Sequence, residues 1–211
     1  MTFRGFPYWL YDDETWNDYF NLFNSGTVEI AGRMVGYQLG IYPERVRYDG
    51  YRVFVPPEPT YDLARARKHI WGGRAPEVPV EAPPLPLSPN ERSTLRFPAL
   101  DWLDTSLANL PESSLKILAF MPVHVAAQPR PGTHEGVLEA ECKARITDIA
   151  RKRGAKAIDW RVHSALTRND ANYWDPLHYR LPIAARIADE LQKAVLEGAT
   201  SPDNEYRILV P

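Results

Sequence analysis

The chain has 211 residues, and its 44% hydrophobic and 25% charged residues are typical of an ordinary soluble globular protein. A formal net charge of −2 lacks the basic excess that nucleic-acid binding requires. The one cysteine, Cys142, cannot form a disulfide within this chain, and we expect it to be a small buried core residue. No run of about 18 apolar residues predicts a membrane span, and no glycine-rich phosphate loop points to a cofactor.

The first part of the chain, residues 1–73, is an N-terminal segment rich in aromatic side chains. Apolar spacing predicts a helix over residues 12–24, in which Trp16 is expected to anchor a core, with stacking on a sugar as the alternative. Residues 26–41 contain glycines and little pattern, which predicts a loop with a short strand. The dipeptide Asp49-Gly50 lies between two alternating segments and predicts a β-hairpin over residues 45–57.

A further helix and a proline-rich connector follow. The spacing predicts a helix from Tyr61 to Trp71, ended by Gly72. Residues 74–98 carry seven prolines, which predicts an extended connector of polyproline type rather than packed structure. We therefore place the main domain boundary of the chain in this connector.

The last part of the chain, residues 99–211, alternates between helical and strand patterns. Helices are expected over residues 99–110, 134–153 and 182–197, and strands over residues 115–125 and 156–162. This alternation predicts an α/β fold with parallel strands and with helices on the faces of the sheet. The first strand is almost continuously apolar, which is the pattern of a strand covered on both faces. Two core strands are too few for a complete three-layer sheet, so we expect an incomplete sheet in this chain.

Ligands of open parallel sheets bind where the strands end at their carboxyl edge. His124 follows the first predicted strand and is a candidate for the edge of a site, with a histidine bonded to backbone as the alternative. Asp159 lies within the second predicted strand and Ser164 just beyond it, and structural roles are favoured for both. A metal site of His124, Asp159 and His178 is geometrically conceivable, but the histidines show no metal-binding spacing, and we predict no metal.

The most informative stretch of the sequence is NYWDPLHYRLP, residues 172–182. Asp175 precedes His178 by three residues, a spacing that places both side chains on one side of a single turn. A carboxylate that binds one ring nitrogen fixes the tautomer and stabilises the imidazolium formed when the other nitrogen takes a proton. Asp175-Pro176 also starts turns readily, so a capping aspartate beside a half-buried histidine is the structural alternative.

The longer block NYWDPLHYRLPIAARIADEL resembles the C-terminal block of the SGNH/GDSL hydrolase superfamily. The likeness is closest to the SGNH-like proteins linked to O-acetylation of bacterial polysaccharides. The strand ending in LAFMPVH and the DGY…YDLA region add a weaker likeness, so that the resemblance covers roughly residues 45–197. It implies a three-layer α/β/α sheet of flavodoxin-like type and an esterase or O-acetyltransferase activity on carbohydrate esters, without a cofactor.

The resemblance also implies roles for individual residues. His178 would be the general base of a Ser-His-Asp triad, and Asp175 would be the acid that orients it. Tyr179 would pack beside this pair, and Asn172 and His124 would lie at the edge of the site. These expectations concern the base and the acid, which are two of the three members of the triad.

The nucleophile of the family is not recognisable in this chain. In the family, the serine lies in a GDS element directly after the first core strand, and no such element occurs here. The first 60 residues contain one serine, Ser25, in a setting that is typical of the turn after a helix. Because a histidine and an aspartate without a nucleophile can activate only water, we expect weak or no activity from this chain alone.

Three explanations for the missing nucleophile remain open. The chain is the C-terminal part of a longer SGNH-like protein, whose missing region or a protein partner completes the sheet. Alternatively, it is a degenerate relative that binds a carbohydrate, such as an acylated polysaccharide, or a protein without catalysis, or it is an α/β domain of another kind. The N-terminus lacks a signal-peptide pattern, which predicts the cytoplasm, whereas the resemblance implies the periplasm if the natural start lies upstream.

Overall fold

A computed structural model describes residues 15–22, 24–41, 56–77 and 87–211 of the chain. The chain divides into two compact units, Met1–Phe54 and Val55–Pro211. Most of the hairpin predicted over residues 45–57 lies outside the described residues.

The described part of the first unit is helical. Helix α1 spans Thr15–Leu22 and helix α2 spans Ser25–Gln38. The loop predicted over residues 26–41 is therefore wrong, because Asn24 accepts a hydrogen bond from the Thr27 amide and caps the start of α2. Trp16 on α1 is 78% exposed, so the expectation that it anchors a core is wrong as well.

The second unit carries six further helices and three strands in its described residues. The helices are α3 (Leu63–Trp71), α4 (Pro89–Thr94), α5 (Pro98–Asn109), α6 (His134–Lys152), α7 (Ala165–Arg168) and α8 (Leu181–Glu197). The strands are β1 (Ile117–Phe120), β2 (Lys156–Asp159) and β3 (Arg207–Val210). Helices α3, α5, α6 and α8 match the helices that apolar spacing predicts, within two residues at each end.

The described strands form one mixed sheet in the order β1-β2-β3. Strands β1 and β2 are parallel, with Ile117 opposite Lys156 and Phe120 opposite Asp159, and β3 runs antiparallel to β2. The α/β class is thus confirmed, while β3 was not predicted. Its four residues, RILV, are too few to show a strand periodicity.

Strand β1 is shorter and more exposed than its apolar sequence predicts. It ends at Phe120, two residues before Pro122, which cannot donate a hydrogen bond to a neighbouring strand. It forms one edge of the described sheet, and Ile117 is 37% exposed. The prediction of a strand covered on both faces is therefore wrong for β1. It fits β2, where Ala157 and Ile158 are buried.

The main core of the second unit lies between α8 and the strand ends. Ile187 and Val195 of α8 pack in one cluster with Ile158, Trp160 and Tyr173, all of them buried. This cluster holds the segment after β2 against the last long helix. Cys142 on α6 is half-buried rather than fully buried, which corrects the expectation for that side chain.

Part of the proline-rich connector is helical and packed. Ser88 and Glu91 form a capping box that starts α4, and the Arg145 guanidinium of α6 donates to the carbonyl groups of Arg92 and Leu95. The prediction of an extended connector is wrong for residues 87–97, because the Ser-x-x-Glu start signal outweighs the neighbouring prolines. Residues 78–86 lie outside the described part of the chain.

Candidate functional site

The segment between α7 and α8 folds back on itself as a short hairpin. The Arg180 amide donates to the Asn172 carbonyl at 2.8 Å, and the Trp174 amide donates to the His178 carbonyl at 2.8 Å. Tyr173 and Tyr179 form an antiparallel bridge between these two bonds. The four residues from Asp175 to His178 are therefore the tip of the hairpin, which we name the DPLH turn.

The Asp175 carboxylate organises the DPLH turn. Its Oδ1 atom accepts hydrogen bonds from the Leu177 amide at 2.8 Å and from the His178 amide at 2.9 Å. The His178 Nδ1 atom lies 2.9 Å from Oδ1 and 2.8 Å from Oδ2 of the same carboxylate. The structure thus brings together the two residues that the sequence singles out, in the geometry of an aspartate that orients a histidine.

The other ring nitrogen of His178 makes no hydrogen bond to any described residue, and the side chain is 57% exposed. With Nδ1 engaged by Asp175, the ring orientation is fixed and Nε2 is the atom that can exchange a proton with a substrate. This exposure differs from the half-buried corner histidine of the structural alternative.

The environment keeps the Asp175 carboxyl group ionised. Partial burial alone would raise its pKa, but hydrogen bonds from the Leu177 amide and from the ring and amide of His178 outweigh burial. The net effect lowers the pKa of Asp175 below its ordinary value of 3.8. Near neutral pH, the carboxylate is therefore available to accept a hydrogen bond from His178 Nδ1.

The base of the hairpin is held by residues from the segment before α3. The Tyr61 ring meets the Trp174 ring edge-on, with 5.1 Å between the ring centroids, and the Arg180 guanidinium lies 3.8 Å above the Tyr61 ring. Glu58 accepts from Arg180 Nε at 2.9 Å and from the Leu181 amide at 3.1 Å. The sequence analysis groups residues 56–73 with the N-terminal segment. In the structure, Glu58 and Tyr61 from this stretch help to hold the hairpin that carries Asp175 and His178.

His124 is buried behind the turn, with 0% of its surface exposed. Its amide donates to the Pro176 carbonyl at 2.8 Å, and its Nδ1 accepts from the Ala126 amide at 3.1 Å. Its Nε2 lies 3.1 Å from Asp170 Oδ1, in a contact that does not meet the geometry of a regular hydrogen bond. The rings of Trp71 and Tyr173 meet the imidazole edge-on, each 5.3 Å away.

Burial lowers the pKa of His124, although the Asp170 carboxylate opposes this effect. The imidazole is therefore a neutral, packed group, and it supports the DPLH turn through its amide rather than offering its ring to a ligand.

The two other residues predicted at the site edge hold the hairpin in place. The Asn172 side-chain amide donates to the Leu166 carbonyl at 2.9 Å and ties the hairpin to α7. Tyr179 is half-buried against the main core, and burial raises the pKa of its hydroxyl group. Neither side chain contacts the His178 ring by a hydrogen bond within the described residues.

Three of the serines that the structure describes lie at helix starts. Ser25 begins α2, which corrects its assignment to a turn after a helix. Ser88 accepts from the Glu91 amide at the start of α4. Ser164 is buried and forms a capping box with Thr167 at the start of α7, in keeping with the structural role expected for it.

A separate open pocket lies at the carboxyl edge of the two parallel strands, between the loop after β1 and the end of β2. Its volume is about 320 Å³, within the range of small-ligand sites. It is lined by Gly132, Gly136, Lys143, Asp159, Arg161 and Arg207, among others, and not by Asp175 or His178. We name it the α6 pocket.

Sequence reasoning missed most residues of the α6 pocket. Asp159 was noted as a strand-end residue with a structural role, and it is 5% exposed and accepts from Lys143 Nζ at 2.9 Å. Lys143 and Arg161 carried no local motif, because one lies in the middle of a helix and the other in a loop. The rule that sites form at strand ends points to this region without naming them.

Comparison of the chain with protein-family models, with curated proteins and with solved structures gives no match. Among the described residues, no group of three or more histidine, cysteine, aspartate or glutamate side chains is arranged to hold a metal ion. None of the helices in the described ranges has the length and apolar character that a membrane crossing requires.

Proposed function

We propose that Asp175 and His178 are the acid–base pair of a site that cleaves or transfers acyl groups on carbohydrate esters. The observation that carries this proposal is the contact of His178 Nδ1 with both carboxylate oxygens of Asp175, at 2.9 and 2.8 Å, on an exposed ring. The SGNH-like resemblance of residues 172–182, in which the same two residue types are the acid and the base, also supports the proposal.

The chemistry follows from the orientation of the ring. Nε2 of His178 removes a proton from a hydroxyl group, whose oxygen attacks the ester carbonyl carbon. The imidazolium that forms is stabilised by the Asp175 carboxylate, and it then returns the proton to the departing alkoxide. The aspartate stays ionised throughout, in agreement with its lowered pKa.

The hydroxyl group comes from water or from a nucleophile outside the described residues. With water as the nucleophile and no set of oxyanion donors assigned, the acceleration by this chain alone is small. A serine supplied by a further segment or by a partner would complete the triad, which is the longer-protein explanation for the sequence.

The proposal is tested by hydrolysis of p-nitrophenyl acetate by the whole chain. We expect His178→Ala to reduce the rate above buffer to the background, and Asp175→Asn to reduce it partly. The matched control is His69→Ala, because His69 on α3 is also exposed and lies outside the turn. Equal rates for the wild type and His178→Ala would remove His178 from the reaction.

A second candidate function is binding of a carbohydrate without catalysis. It is favoured by the aromatic side chains of α1, where Trp16 is 78%, Tyr19 61% and Phe20 82% exposed. Exposed aromatic rings can stack on the apolar faces of sugars, and they are costly to leave in water. Titration with acidic polysaccharides should then change the tryptophan fluorescence of the wild type but not of Trp16→Ala, and an equal change in both would exclude α1.

A further inference from the structure

The α6 pocket is lined in part by Arg161, whose backbone is held by two charged neighbours, Asp159 and Lys143. The Arg161 amide donates to Asp159 Oδ1 at 2.8 Å, and the Arg161 carbonyl accepts from Lys143 Nζ at 2.8 Å. Lys143 also donates to Asp159 Oδ2 at 2.9 Å and lies 3.3 Å from Glu139 Oε1. The three donors of the lysine are thereby satisfied within the protein.

The charges of Lys143 and Asp159 are therefore used to fix the backbone of Arg161 rather than to meet a ligand. Both side chains are largely buried, at 19% and 7% exposure, so the clamp is shielded from water. The backbone of Arg161 is thus held in one position beside the pocket, which fixes the point from which its side chain extends.

The Arg161 guanidinium itself has no hydrogen-bond or ion-pair partner among the residues that the structure describes. Its Nε atom is buried without a hydrogen-bond acceptor, and no ion pair joins it to any described residue. Arg207, which faces the same pocket from β3 opposite Asp159, also has no acidic partner within the described ranges. Two guanidinium groups without counter-charges at one small pocket favour an anionic ligand.

The balance of charge indicates the kind of anion. The pocket is lined by three lysine or arginine and two aspartate or glutamate side chains, whose formal charges sum to +1. A monoanion balances this charge, and the planar fork of a guanidinium matches the two oxygens of a carboxylate. The amino-terminal end of the 19-residue helix α6 lies at the pocket, and the positive end of its dipole also favours an anion there.

We infer that the α6 pocket binds the carboxylate group of a small acidic ligand, with Arg161 as the principal contact and Arg207 at the rim. The volume of about 320 Å³ accommodates one sugar or amino acid unit. This site does not depend on the proposed role of His178, whose turn does not line the pocket.

The inference is tested by NMR titration of the whole chain with three sugars that differ at one position, D-glucuronate, D-glucose and D-glucose 6-phosphate. We expect D-glucuronate to shift the amide signals of Gly132 and Gly136 and the Arg161 Nε–H signal, and D-glucose to leave them unchanged. Arg161→Gln should weaken the response to glucuronate by at least about tenfold, and Arg207→Gln should weaken it less.

The control variant is Arg151→Gln, which removes an exposed guanidinium paired with Asp148 on the same helix and should keep wild-type binding. The inference is overturned if glucuronate and glucose give the same response, or if Arg161→Gln and Arg207→Gln, both folded by circular dichroism, bind glucuronate as the wild type does. A stronger response to glucose 6-phosphate would overturn the assignment to a carboxylate.

Discussion

The backbone amide of His124 donates a 2.8 Å hydrogen bond to the carbonyl oxygen of Pro176. This bond joins the segment after β1 to the tip of the hairpin that carries Asp175 and His178. A fully buried histidine thus fixes the backbone of a turn whose own histidine is exposed. The position of the proposed acid–base pair therefore depends on packing in the core as well as on local turn geometry.

Replacement of Glu58 should loosen the hairpin at its other end. Glu58 binds Arg180 Nε and caps the start of α8 at the Leu181 amide. Glu58→Ala therefore leaves two of the three guanidinium nitrogens of Arg180 and a helix N–H group without their acceptor. We expect the free energy of unfolding to fall by about 1–2 kcal/mol in urea titrations.

The control for this variant is Glu77→Ala. Glu77 also pairs with an arginine, Arg130, but both side chains are about 60% exposed. Its removal should cost less than about 1 kcal/mol. Equal losses for the two variants would contradict the role of Glu58 as a support of the hairpin.

His124 should make the stability of the protein depend on pH below its ordinary pKa of 6.5. Burial lowers the pKa of His124 in the folded state, so the unfolded chain takes up a proton at a higher pH than the folded chain. The free energy of unfolding therefore decreases as the pH falls from 6.5 through the folded pKa. In His124→Gln this decrease should be smaller, as measured by urea unfolding at a series of pH values.

The wild-type pH dependence should persist in His69→Gln, because His69 is exposed on α3. His124→Gln should also lower the stability at high pH by about 1–3 kcal/mol, since the imidazole packs against Trp71 and Tyr173. The same slope against pH in His124→Gln and the wild type would show that His124 is not the buried neutral group described above.

Apolar spacing predicts the long helices of this protein because their buried faces repeat every three to four residues. It does not predict α2, because the three glycines among its 14 residues are typical of a loop, or α4, which is defined by its capping box. Strand β3 is recognisable only after folding, since its pairing with β2 joins segments more than 40 residues apart. Local patterns cannot encode such pairings.

Local sequence likewise predicts some residues of the candidate site and not others. Asp175 and His178 are neighbours in sequence, so a three-residue spacing suffices to predict their contact. Glu58 and Tyr61 support the same hairpin from more than 100 residues away, and nothing in their local sequence indicates this role. Arg161 can be recognised only in the folded protein, where side chains from α6 and β2 bind its backbone.

Gly136 should be required by close packing at the start of α6. A Cβ atom at this position would lie 2.5 Å from the Arg130 carbonyl oxygen, so Gly136→Ala should destabilise α6 although alanine favours helices. Gly32 on α2 has no atom within 4 Å of its ideal Cβ position. Gly32→Ala should therefore stabilise α2 by about 0.5–1 kcal/mol.

Native-state hydrogen exchange measures both effects within the helix concerned. Faster exchange of the α6 amides in Gly136→Ala and slower exchange of the α2 amides in Gly32→Ala are expected. Slower exchange in α6 after Gly136→Ala would contradict this prediction. It would show that the loop before α6 can move away from the added methyl group with no loss of stability.

The tautomer of His178 is the most direct test of the acid–base pair. Because an ionised Asp175 can only accept a hydrogen bond from Nδ1, the neutral ring should carry its proton on Nδ1 and leave Nε2 as the acceptor. Long-range ¹H–¹⁵N correlation spectra of the neutral ring distinguish the two tautomers. We expect the Nδ1–H form in the wild type and its loss in Asp175→Ala. A wild-type ring that is protonated on Nε2 would contradict the proposed pairing of His178 with Asp175.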